Sequence, residues 1–173
     1  MNRRTAIRQV VFISAGAALL PSCLRHDKSS ILLKNISISV PEENMLAELT
    51  ETIIPKTNNL IGAKDLEAHA FVLTMIDDCS SPEDQKKFTN GLKAFDKLSH
   101  DKFGQLFTSY TAAQKKELLT AIENKKDIPE EALQFYGTVK RYTIQSFTSS
   151  KEYMTGIRNY NIIPGQYKGC VPV

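Results

Sequence analysis

A histidine with two carboxylates close by on one predicted helix is the densest concentration of reactive side-chain types in this 173-residue chain. His69 follows Asp65 and Glu67, and an imidazole beside a carboxylate can serve as an acid, a base or a ligand. A helix-edge histidine is more often simply bonded to a neighbour, and no other reactive group stands at a fixed spacing from this one. A small enzyme working through His69 and a carboxylate is a rival reading, not the leading one.

Other chemistries find less support. The cysteines, Cys23, Cys79 and Cys170, and the histidines, His26, His69 and His100, are scattered, so the fold alone would have to assemble a zinc or iron–sulfur site. Neither Gly-x-Gly-x-x-Gly nor the phosphate-cradling Gly-x-x-x-x-Gly-Lys-Ser/Thr occurs, and Cys-x-x-Cys-His and Gly-x-Ser-x-Gly are missing too. The expectation is a chain with no catalytic, cofactor-binding or metal-binding residues of its own.

The N-terminus carries the most legible signals. Residues 1–8 are basic, with Arg3 and Arg4 adjacent, and an uncharged apolar run from Gln9 to Leu20 follows. That is the build of a signal peptide over residues 1–22. The run would rise only about 16 Å as a helix, short of the ~30 Å hydrocarbon core, so a permanent span is the weaker reading. The arginine pair resembles the twin-arginine export pattern, with Ala6 where that pattern usually has an aromatic residue. Leu20-Pro21-Ser22-Cys23 resembles a lipobox, which would make Cys23 the lipidated mature N-terminus of a periplasmic, membrane-anchored lipoprotein.

The leader holds three of the 22 Lys and Arg and none of the 19 Asp and Glu, so the remainder is balanced. Balance removes the electrostatic case for nucleic-acid binding. With Cys23 taken by lipid, Cys79 and Cys170 remain in a compartment where disulfides persist, and the even remainder favours a bond over two free thiols.

The elements that would position these residues are helical. Residues 23–40 read as a tether, with Ile36, Ile38 and Val40 alternating with serines in an extended segment laid on the domain. Residues 41–173 read as one domain. Met45, Leu46, Leu49 and Ile53 form a helical stripe that Pro55 ends. A second helix is expected from Lys64 to about Asp78, burying Leu66, Ala70, Leu73 and Ile76. Ser81-Pro82-Glu83-Asp84 opens a third with Phe88, Leu92, Phe95 and Leu98 inward. Thr111 and Gln114 have capping-box spacing ahead of Leu118, Leu119 and Ile122. Asp127, Pro129 and two glutamates open the last helix, with Ala132, Phe135, Val139 and Tyr142 inward and Tyr136, Ile144 and Phe147 widening the apolar face. The fold class is all-α, a bundle of about five helices carrying an irregular C-terminal tail packed on it.

The tail is rich in Tyr, Ile and Val, so it must rest on this bundle or on another protein. Tyr153, Tyr160, Pro164, Gly165, Tyr167, Gly169 and Pro172 are its candidate interface residues.

Three stretches resemble the gluconate 2-dehydrogenase subunit 3 family: Leu49–Pro55 followed by Gly62–Asp65, Phe71–Asp78, and above all the Pro-Gly, aromatic, Gly-Cys-x-Pro pattern of Tyr160–Pro172. The resemblance implies a non-catalytic gamma subunit that escorts, exports and anchors an FAD-dependent dehydrogenase of sugars or sugar acids. The implied partners are a large flavoprotein subunit of the glucose–methanol–choline type, which holds the FAD, and a cytochrome c or other electron carrier. A free-standing envelope lipoprotein without a redox partner is the alternative from a different class.

Overall fold

The computed structural model describes residues 29–125, 127–158, 160, 161, 163 and 165. Their regular elements are five α-helices: α1 (Val40–Ile53), α2 (Ala68–Cys79), α3 (Pro82–Phe103), α4 (Ala112–Glu123) and α5 (Glu130–Ser149). A single 3-10 turn, Phe107–Ser109, lies between α3 and α4, and a π-helical turn, Tyr153–Ile157, follows α5. The bundle is all-α, as expected, with no strand among the described residues.

Local chemistry starts most of these helices. The Ser81 hydroxyl accepts the Asp84 amide at 3.2 Å, and Pro82 occupies a first-turn position whose amide needs no partner. Thr111 and Gln114 exchange the expected pair of bonds: the threonine hydroxyl accepts the Gln114 amide, and the glutamine carbonyl accepts the Thr111 amide at 2.9 Å. Gly104, at φ 68°, ends α3 in the left-handed conformation that glycine adopts without steric cost. Asp127 does not cap α5: it sits in a left-handed turn at φ 54°, and the helix begins after Pro129.

Helix α2 starts four residues later than its periodicity predicts. The end of α1 holds the preceding turn, where the Glu51 carboxylate accepts the amides of Lys56 at 2.9 Å and Lys64 at 2.8 Å. Gly62 fits there because a Cβ would stand 2.6 Å from that carboxylate. The rewired turn leaves Glu67 at φ 48° and shifts the buried stripe. Ala68 and Val72 are buried in place of Leu66 and Ala70, which are only half-buried.

Helices α3 and α5 form the closest pair, α2 packs on α5, and α1 lies across α2 and α5, with α4 against α1 and α5. Gly91 permits the close approach of α3 and α5, since a Cβ there would lie 2.7 Å from both the Glu131 carbonyl oxygen and the Phe135 Cβ. Phe135 meets Phe88 and Phe95 at ring-centroid distances of 5.1 and 5.6 Å, and Phe107 adds a fourth ring 5.3 Å from Phe95. Each buried ring contributes about 2 kcal/mol or more of apolar transfer. Ile144, expected inward, is exposed, while Leu98 and Tyr142 pack at the core's edge.

From Ser29 the expected tether is a strap bound to the bundle. Ile36 and Ile38 are buried, Ile31 and Leu33 pack at the margin, and the Ser29 amide reaches the Ile38 carbonyl at 3.0 Å, closing the segment into a loop. Val40 belongs to α1 instead of the extended stretch.

Candidate functional site

Two buried carboxylates organise the face where the strap lies. Asp77, on the last turn of α2, accepts the backbone amides of Lys34 (2.8 Å), Asn35 (2.7 Å) and Ile36 (2.9 Å). The Asn35 side-chain amide donates to the Asp77 carbonyl at 2.8 Å, and Gln85 of α3 donates to the same carbonyl at 2.9 Å. Burial pushes the Asp77 carboxyl up, but the three amides outweigh it and hold the group below its ordinary 3.8. A charged, buried carboxylate thus replaces the strap's missing secondary-structure partners.

Glu43, on the first turns of α1, does the same at the other end. It accepts the Ser30 amide at 2.7 Å and the Ser30 hydroxyl. Burial again acts upward, and the hydrogen bonds from Ser30 and Ser29, with help from His69, bring the carboxyl below 4.5. His69 on α2 is the third member, with its Nε2 3.9 Å from the Glu43 Oε1. That is an electrostatic approach too long for a hydrogen bond. Burial lowers the His69 pKa below 6.5 although Glu43 and Glu67 pull it upward, and its buried Nδ1 has no partner.

The carboxylate beside His69 is therefore Glu43, which sequence spacing did not single out. Of the two acids that spacing did suggest, Asp65 forms a surface pair with Lys56 at 3.0 Å, and Glu67 sits in the turn before α2. The trio lacks the wiring of a nucleophilic site, where a hydroxyl hands its proton to an imidazole held by a carboxylate. Here the Ser30 hydroxyl donates to the carboxylate. The geometry suits fastening the strap. Among the described residues, no group of three His, Cys, Asp or Glu side chains is placed to hold a metal ion.

A cleft of about 600 Å³ opens between the end of α2, the start of α3 and the middle of α5. Ile76, Phe88 and Phe135 lie at its floor, and exposed Cys79 and Arg141 are on its walls. The Arg141 guanidinium stands 4.5 Å from the centroid of the Tyr142 ring. Cys170, the expected partner of Cys79, lies outside the described residues, as do Arg3, Arg4 and Cys23.

Of the candidate tail interface, Tyr153 is half-buried and meets Phe147 at 5.4 Å. Tyr160 and Gly165 are exposed, and Pro164, Tyr167, Gly169 and Pro172 lie outside the described residues. Ile157, Tyr160 and Ile163 expose 44%, 52% and 80% of their surfaces, three large hydrophobic side chains offered to solvent. No helix of the described residues is long and apolar enough to cross a membrane.

No curated protein and no solved structure gives a significant match to the chain. A family model described as gluconate 2-dehydrogenase subunit 3 matches residues 41–165, a span that takes in nearly all of the five-helix bundle and leaves out the strap. The chain belongs to the gluconate 2-dehydrogenase subunit 3 family.

Proposed function

We propose that this chain is the non-catalytic accessory subunit of a gluconate dehydrogenase-type complex. In this reading it escorts, exports and anchors an FAD-dependent large subunit that oxidises a sugar or sugar acid. The observation that carries it is the family match over residues 41–165. The twin-arginine-like leader supports an exporting role, because a cofactor-loaded flavoprotein without its own signal can cross the membrane folded when bound to a partner that has one. Cys23 supplies the lipid anchor on the periplasmic side, and the FAD stays with the partner, a flavoprotein of the glucose–methanol–choline type that passes electrons to a cytochrome c or other carrier. Cys79 and Cys170 pair as a disulfide in that compartment. The exposed side chains of Ile157, Tyr160 and Ile163 supply contact area for the flavoprotein.

A tagged copy, purified from membranes of its native cells, should bring down an FAD-containing oxidoreductase. Recovery of the chain alone from those cells, or turnover with a prosthetic group bound to it, contradicts the proposal. Non-reducing peptide mapping tests the cysteine pair.

A further inference from the structure

We draw no further inference here: the strongest candidate, the cleft of about 600 Å³ between the end of α2, the start of α3 and the middle of α5 with Cys79 and Arg141 on its walls, carries nothing because nothing in the structure shows what covers it.

Discussion

Residues 29–38 and the described residues beyond Ser149 both lie outside the five α-helices, both mix isoleucine with polar side chains, and both adjoin the same bundle. Only the first is tied down along its length. Its amides at Ser30, Lys34, Asn35 and Ile36 are received by carboxylates of α1 and α2. After α5 the backbone instead satisfies itself locally, with Met154 donating to Ser150, Arg158 to Tyr153 and Tyr160 to Met154. Ile36 and Ile38 are buried, whereas Ile157 and Ile163 face solvent. Composition does not separate the two segments. What separates them is whether the folded helices offer buried acceptors to an irregular backbone.

Several substitutions can break or sharpen this contrast. The largest effect is expected where both segments share a foundation: Gly91→Ala forces α3 from α5 and should cost about 2 to 3 kcal/mol in urea unfolding. Asp77→Ala comes next. Removing the acceptor of three amides should cost about 2 kcal/mol and abolish protection of Lys34, Asn35 and Ile36, with Tyr160 unaffected. If both ends of the chain loosened together in that variant, the clamp would not be specific to the strap.

Acid should open the strap for the same reason. Asp77, Glu43 and His69 all have pKa values lowered by folding, so the unfolded chain binds more protons and stability is lost as the pH is lowered. The His69 contribution is complete above 6.5 and lost as pH falls through its lower folded value. The carboxylate contributions are complete above their ordinary values of 3.8 and 4.5 and are lost in the same way below them. Urea midpoints measured from pH 7 to pH 3 should decline in two stages, and Asp77→Ala should flatten the second.

Glu43→Gln removes a charge but keeps one acceptor oxygen, so about 1 kcal/mol is expected. In the same variant His69 should titrate lower still by NMR, because the neighbour that raises its pKa is gone. Tyr160→Ser is the smallest for stability, within about 0.5 kcal/mol, since the side chain is exposed. Its effect should appear instead as weaker retention of the dehydrogenase.

Helix starts were legible in the sequence where they depend on residues three positions apart, as at Ser81 and Thr111, and the five-helix bundle followed from them. The start of α2 was not, because Glu51, thirteen residues before Lys64, supplies the acceptor that reshapes the turn. An extended segment laid on the domain was legible at Ile36 and Ile38, but how it is fastened was not, for a related reason. Asp77 lies more than forty residues from the amides it receives, and an aspartate near a helix end carries no local mark of that use. His69 was noticed for its type, yet its carboxylate neighbour comes from another helix, twenty-six positions earlier in the chain. Periodicity reads contacts along one helix, and these are contacts between elements.

Native-state hydrogen exchange, run on the isolated chain and again on the complex recovered with the dehydrogenase, tests the division of the molecule most directly. The amides of Lys34, Asn35 and Ile36 should be protected in both samples, and those of Ile157 and Ile163 should exchange freely in the isolated chain and slow in the complex. Rapid exchange at the strap, or no change after α5 when the flavoprotein is bound, would contradict an accessory subunit that is fixed at one end and engages its partner with the other.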